Sequence, residues 1–337
     1  MKILVTGGTG FIGERYIRHL VEHHSGVRLH FTGRQIEKGN ALSALTGAHY
    51  FRGDLLDVPY LQHICKDMDV VVHCAGLSGV WGDYEYYYRA NVTGTENLLR
   101  ACAGTGVRRL VNLSTPSIYF DFHDHLNITE EFLPERFADN YARTKYQAEV
   151  RVANAHSDQL RTLSIRPRMV LGAGDHNLFP RMIASHQTGH LVRLGEGRNI
   201  VSTTHIANLL QALDCAVFGP DSVTGDVYNI ADAQPRRLWE VIDTMLQAVN
   251  LPPVTRSVPV GVVMAAATAM ETFYRLRKSD DEPRLMRLKV AMMSRSFTLS
   301  IEKAQRKLGY KPVQSVDGAI AEFADWWLHA KNRHKAR

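Results

Sequence analysis

Short apolar runs alternate with amphipathic stretches through the first half of the chain. Residues 3–6 form a β run, and residues 11 to about 24 repeat apolar positions at helical spacing. Runs 27–32 and 49–52 read as β again. Residues 69–74, Asp-Val-Val-Val-His-Cys, are strongly β, 84–102 read as one long helix, and 109–113 as β. Strands this rich in Val, Ile and Leu, alternating with helices, predict a parallel sheet covered on both faces. The pattern loosens after residue 170. Residues 177–190 and 205–218 predict helices, 227–230 a strand able to return to the sheet, and 238–249 a helix. Segments 258–276, 300–308 and 316–331 are also helical in pattern. The expected fold class is α/β, a doubly wound parallel sheet with a smaller, mostly helical C-terminal lobe. The first unit covers 1–170, rejoined by segments around 200–231, and the second covers 171–337.

Composition narrows this picture only a little. The 337 residues are 45% apolar and 22% charged, which excludes wholesale disorder. The net charge of +6 suits anionic ligands. The basic tail 331–337 has no interleaved aromatics, so no nucleic-acid partner is expected. Four scattered cysteines without a C-x-x-C fit a reducing cytoplasm. The chain enters its first β run at residue 3, leaving no room for a secretory signal. Residues 257–270 carry no charge, but 14 residues fall short of the roughly 20 that span a bilayer.

The first β run ends in Gly7-Gly8-Thr9-Gly10-Phe11-Ile12-Gly13 and a helix follows. Glycines at this spacing let the backbone turn tightly and approach a pyrophosphate, while the helix N-terminus offers N–H donors. The end of the second β run separates NAD from NADP. An acid there binds the ribose 2′-hydroxyl; a base accommodates a 2′-phosphate. Here Gly33 stands in the acid's place and Arg34 follows, with Lys38 near. NADP(H) is therefore the favoured cofactor. NAD(H) stays open, because Arg34 could stack on the adenine instead.

Tyr141 and Lys145 are spaced i, i+4 in a helical stretch, so they share one face. A nearby ammonium favours a phenolate, which makes Tyr141 a candidate acid/base for a carbinol oxygen while hydride moves to or from a nicotinamide. The pair lies about 130 residues after the glycine loop and follows a strand ending Leu113-Ser114-Thr115. A hydroxyl at that strand end can orient the substrate oxygen.

These motifs recur in order with Asp54 in Gly-Asp-Leu55, His73-Cys-Ala75-Gly76, Asn91-Val-x-Gly-Thr and Arg166-Pro167. Over roughly residues 2–250 the set resembles the extended short-chain dehydrogenases/reductases, enzymes of the Rossmann type. Within them it is most similar to the 3β-hydroxysteroid dehydrogenase group, with its sterol-4-carboxylate 3-dehydrogenases and 2-alkyl-3-oxoalkanoate reductases. The supporting stretches are 79–83, 114–117, 166–175 and 195–199. The resemblance makes Tyr141 the acid/base, Lys145 its partner and a binder of the nicotinamide ribose, and Thr115 the hydroxyl, with Ser114 as alternative. Asn91 supports the active-site helix. Asp54 meets the adenine amine, with Leu55 beside it; Ala75 and Gly76 line the adenosine side, and Pro167 packs near the nicotinamide. The resemblance also implies a homodimer through helices around 84–102 and 139–154. Tyr119-Phe120-Asp121 departs from the usual Tyr-Gly, which alters the loop that follows.

The implied reaction is an alcohol–ketone interconversion on a bulky hydrophobic molecule, sterol-like or a β-keto/β-hydroxy acid. Arg168 or Arg181 could meet a substrate carboxylate. Pro116 and Ser117 replace the Asp-Glu of nucleotide-sugar dehydratases, so the acid for water elimination is missing. A nucleotide-sugar epimerase or reductase holding NAD, and a non-catalytic NADP-binding regulator, are the alternatives. The cluster Trp81, Tyr84, Tyr86, Tyr87 and Tyr88 is read mainly as core, partly as cleft wall. Segment 257–278 is read first as a core helix, otherwise as a lid or a peripheral membrane contact. Seven basic and three acidic residues from Arg275 to Arg295 favour an anionic surface. His19 and His23 lack a third ligand at a recognisable spacing, and no metal is expected.

Overall fold

A computed structural model describes residues 1–277 and 281–335, with side chains to Ala330. Seven strands form the central sheet: β1 (Lys2–Thr6), β2 (Arg28–Gly33), β3 (His49–Arg52), β4 (Val70–His73), β5 (Arg109–Leu113), β6 (Arg161–Pro167) and β7 (Val227–Ile230). Their order is β7-β6-β5-β4-β1-β2-β3, and every pairing is parallel. The order reverses between β1 and β4. A crevice opens there, outside the carboxyl ends of the strands.

The apolar runs are continuous because both faces of the sheet are covered. Side chains alternate along a strand. Ile3, Val5, Val70, Val72 and Val111 pack on one face with Ile17 and Leu20 of α1 (Phe11–His23) and Leu209 and Leu213 of the helix Ile206–Phe218. Leu4, Val71 and Leu110 pack on the other face with Leu61 and Leu98. That second layer includes α2 (Val58–Cys65), α3 (Tyr84–Tyr88), α4 (Gly94–Thr105) and α5 (Asn140–Asn154). The helices Ile36–Thr46 and Val58–Cys65 are absent from the sequence expectation. Their apolar faces are short, and Val58–Cys65 is held by an Asp57 cap, whose side chain accepts from Tyr60 N at 3.1 Å.

The expected single helix over 84–102 is interrupted. Between α3 and α4 the turn Arg89–Thr93 is π-helical. The wider turn re-aims Asn91, and such bulges recur at functional sites.

A third apolar cluster gathers Phe179, Trp239, Ile242, Met245 and Phe323 from the later helices. A four-stranded second sheet joins Arg236–Arg237, Ile200–Val201, Phe297–Leu299 and His125–Ile128. Strands of two to four residues leave too little periodicity to read in sequence.

The core-helix reading of 257–278 holds on one side only, where Val260, Val263 and Met264 pack against the third cluster. The helix α6 (Val260–Leu276) buries only Ala267 and Glu271. Val262, Ala265, Ala266, Ala269, Phe273 and Leu276 are exposed. At 100° per residue they share one stripe roughly 100° wide. Lys278 and the tail 336–337 lie outside the described residues, and side chains 331–335 likewise. Among the described residues no helix is long and apolar enough to cross a membrane.

Candidate active site

The glycine loop turns where only glycine fits. Gly7 has φ +69°, and a Cβ there would lie 2.7 Å from Ala75 N. A Cβ on Gly13 would lie 2.3 Å from the Gly7 carbonyl oxygen. Gly10 caps α1 with no side chain, so the first-turn N–H groups of Phe11 and Ile12 meet no capping side chain. This backbone cradle, with a helix dipole behind it, fits a dinucleotide pyrophosphate.

Beside it is a cavity of about 520 Å³. Gly7, Thr9, Gly10, Arg34, Asp54, Leu55, Ala75 and Gly76 all line it, so eight of the sequence candidates meet there. The end of β2 explains Gly33. A Cβ at that position would lie 2.5 Å from Thr9 Oγ1, so an acid cannot occupy it without displacing Thr9. Arg34 is 77% exposed, with Nη1 3.9 Å from Asp54 Oδ2. The guanidinium therefore faces solvent beside one distant carboxylate. Arg89 lines the same cavity, a base that the sequence patterns did not flag.

Tyr141 and Lys145 lie on α5, as their spacing requires. Asp139 caps that helix, accepting from Ala142 N at 2.6 Å. Burial raises Asp139 to about 6. Tyr141 is half-buried, and the Thr115 side chain faces its hydroxyl closely enough to oppose the effect of burial. Thr115 Oγ1 accepts from Ser117 N at 3.1 Å. Thr115, rather than Ser114, is the hydroxyl that faces Tyr141. Ser114 Oγ is buried without a hydrogen-bond partner.

Lys145 is buried and donates to the Leu113 carbonyl at 2.7 Å. Burial pulls its pKa down to about 8, although Glu149 opposes the fall. The same burial raises Tyr141 above its ordinary value, with Thr115 opposing. The i, i+4 spacing predicts a phenol lowered by Lys145; here burial, with the Asp139 charge adding to it, outweighs Thr115.

Asn91 ties these parts together. Its carbonyl oxygen accepts from Leu77 N at 2.7 Å. Its amide donates to Leu77 O and to Thr144 Oγ1, both at 3.1 Å. Thr144 sits on α5 between Tyr141 and Lys145. A Cβ on Gly76 would be 3.3 Å from Asn91 Oδ1 and 3.7 Å from Lys145 Nζ, so the nucleotide-side cavity reaches α5 here. Pro167 ends β6, paired with Ile230 of β7 at the same sheet edge.

A second cavity of about 1120 Å³ opens over Tyr141. Trp81, Tyr86, Tyr87, Phe122, Phe137 and Leu288 wall it, with Arg136, Arg143, Arg275 and Arg287 among them. Part of the aromatic cluster is thus cleft wall. Tyr87 is 3% exposed and donates to Trp81 O, while Tyr86 also reaches the nucleotide-side cavity. The inward face of α6 supplies Glu271 and Tyr274.

One histidine reading changes. His19 meets His24 and Asp214 rather than forming a site with His23. Asp214 Oδ2 lies 2.6 Å from His19 Nε2 and 3.1 Å from His24 Nε2, a contact between the first helix and Ile206–Phe218. His73 is a buried strut, bonded to Thr6 at 2.8 Å and Thr95 at 2.9 Å.

Residues 4–260 match the profile of the 3-beta hydroxysteroid dehydrogenase/isomerase family. The chain belongs to that family. It is an oxidoreductase, an NAD(P)-dependent dehydrogenase or reductase acting on CH–OH or keto groups. One relative is the 2-alkyl-3-oxoalkanoate reductase of Stenotrophomonas maltophilia, 34% identical over 330 residues, covering 95% of this chain and 97% of that one. Another is the decarboxylating sterol-4-alpha-carboxylate 3-dehydrogenase of Schizosaccharomyces pombe, 29% identical over 346 residues and covering 99% of each chain. Among solved structures, the Bacillus cereus UDP-glucuronic acid 4-epimerase in complex with NAD superposes with a TM-score of 0.76 at 21% identity, covering 97% of this chain and 96% of that one. That likeness carries the fold alone.

Proposed function

We propose that this family member uses NADP(H) to interconvert a secondary alcohol and a ketone on a bulky hydrophobic substrate. The carrying observation is Tyr141, which faces Thr115 and lines a large aromatic cavity one helical turn from Lys145. The two relatives named above, one for an oxoalkanoate and one for a sterol carboxylate, support a β-keto or β-hydroxy acid, or a sterol-like molecule.

A bound nicotinamide supplies the hydride or accepts it. Tyr141 gives its proton to the substrate oxygen in reduction and takes one in oxidation. The phenol is protonated at neutral pH, the form that reduction needs. Thr115 orients the oxygen, with Ser114 at the same strand end. Lys145 contacts the nicotinamide ribose and restores the phenol's proton. Asn91 is the positioning residue. Gly7, Thr9, Gly10, Phe11, Ile12 and Gly13 receive the pyrophosphate; Asp54, Leu55, Ala75 and Gly76 receive the adenosine; Pro167 packs on the nicotinamide side. Arg34 binds the 2′-phosphate, supported by the Thr9 side chain that fills the acid's place at Gly33.

The division of labour follows: 1–170 with the returning strand holds the dinucleotide, and most of 171–337 shapes the substrate cleft. The exposed stripe on α6, flanked by Arg275 and Arg277, supports a peripheral contact with an anionic membrane. A homodimer through α3, α4 and α5 completes the reading.

The test is a substrate panel with the purified chain. NADPH oxidation on long-chain 3-oxo acids or 3-ketosteroids, and none on UDP-sugars, is the expected result. Turnover of a UDP-sugar with no net cofactor change would establish the epimerase instead.

A further inference from the structure

The helix α1 packs against the helix Ile206–Phe218, and three polar side chains converge between them. His19 Nε2, His24 Nε2 and Asp214 Oδ2 all lie within 4.8 Å of one another. Helical spacing pairs His19 with His23, but His24 is the residue that joins it. His24 is the first residue beyond α1, with φ −131° and ψ 70°, so its side chain leaves the helical path. Its ring stacks on Phe218 at 4.2 Å. His23 stacks on the His19 ring at 4.4 Å, and its Nδ1 is 3.0 Å from the His19 carbonyl oxygen. Each converging ring is therefore held by an aromatic neighbour.

Two imidazoles and one carboxylate make a donor set for a transition metal. Tetrahedral zinc, with bonds of about 2.0–2.1 Å, spaces its donor atoms about 3.3 Å apart. Asp214 Oδ2 is 2.6 Å from His19 Nε2 and 3.1 Å from His24 Nε2. An ion replaces these two hydrogen bonds once the three atoms part by less than about 1 Å. The other oxygen, Oδ1, accepts from the buried Tyr16 hydroxyl at 3.1 Å. That bond leaves Oδ2 for the two rings, as the outer partners of a ligating carboxylate do. A cavity of about 510 Å³ reaches His19 and Asp214 and gives an ion its way in. The cations on its wall are already neutralised. Arg15 pairs with Glu322 and Arg18 with Glu14, each at 2.7 Å. Calcium and magnesium take oxygen ligands, so two imidazole donors favour zinc over both.

We propose that His19, His24 and Asp214 bind a zinc ion that clamps α1 to the helix Ile206–Phe218, with water as its fourth ligand. The site lies at the far end of α1 from the glycine loop, about 20 Å away along 13 residues. It is independent of the oxidoreductase reading.

The experiment uses the full chain without an affinity tag, stripped with a chelator and titrated with zinc chloride in competition with a chromophoric chelator. Wild type is expected to bind one equivalent with a Kd of about 10 µM or tighter. His24→Gln and Asp214→Asn should each weaken binding about 30-fold or more, and His23→Gln should leave it within about threefold. Zinc should raise the wild-type melting temperature by about 3 °C or more and leave that of His24→Gln unmoved. Cobalt(II) gives a reading that needs no variant. Four-coordinate cobalt absorbs intensely in the visible, and six-coordinate cobalt only faintly. Intense bands in wild type support the site. Faint bands, or wild-type zinc binding weaker than about 100 µM, overturn it. Binding that survives both His24→Gln and Asp214→Asn places the ion on other histidines of the 16 in the chain and overturns it too. So does binding lost in His23→Gln and kept in His24→Gln.

Discussion

The nucleotide cradle and the substrate cleft meet at Tyr86, which lines both cavities, but they are built differently. The cradle is made of strand-end loops, and most of its contacts are backbone. Its glycines are fixed by approaches of 2.3–2.7 Å that no side chain survives. The cleft is made of side chains drawn from residues 80 to 288, carried by loops, by helices on one side of the sheet and by helices of the C-terminal lobe. A backbone site tolerates little and advertises itself in sequence. A side-chain site can change its walls while keeping Tyr141 and Thr115, so one chemistry serves many substrates.

Four outcomes would break or sharpen this contrast. The largest belongs to the cleft. Tyr141→Phe should lower kcat by about 10²–10⁴-fold while NADPH affinity stays within about twofold. Loss of cofactor binding in that variant would merge the two regions.

The next concerns the strut under the cradle. Burial lowers His73 to about 3 from 6.5, with the Lys145 charge adding to the effect. Between those values the unfolded chain holds a proton that the folded chain refuses. Stability therefore rises with pH across that window and falls as pH drops below 6.5, by about 3 kcal/mol at pH 4. Urea midpoints against pH read this slope, and His73→Gln should flatten it. An unchanged slope in the variant would place the acid sensitivity elsewhere.

A smaller effect tests the cofactor. Arg34→Ala should weaken NADPH about 10–100-fold and leave NADH nearly unchanged, as expected for one or two charge-assisted bonds. Fluorescence titration of both cofactors measures it; an equal loss for both would put Arg34 on the adenine. The smallest effect lies outside both regions. Replacing Phe273 and Leu276 by Ser should cut binding to phosphatidylserine vesicles about tenfold without slowing turnover of a water-soluble substrate. Vesicle sedimentation decides it, and unchanged binding would remove the membrane contact.

The sheet was readable because its strands are covered on both faces, which makes each one a plain apolar run. The glycine loop and the Tyr141–Lys145 pair were readable because their spacing is local. The π-helical turn at Asn91 was not, since one extra residue in a helical turn leaves the hydrophobic pattern of 84–102 intact. Nor was the exposure of α6. An apolar helix reads alike whether a core or nothing covers it.

The central claim is that Tyr141 and a bound nicotinamide act on one carbon of a substrate held in the large cavity. The most direct test is a single-turnover reaction with NADPH deuterated at the transferred position and a long-chain 3-oxo acid. One deuterium at C3 of the 3-hydroxy product is expected, formed by wild type and lost in Tyr141→Phe. Deuterium retained on the cofactor, or a product formed equally well by Tyr141→Phe, would contradict it.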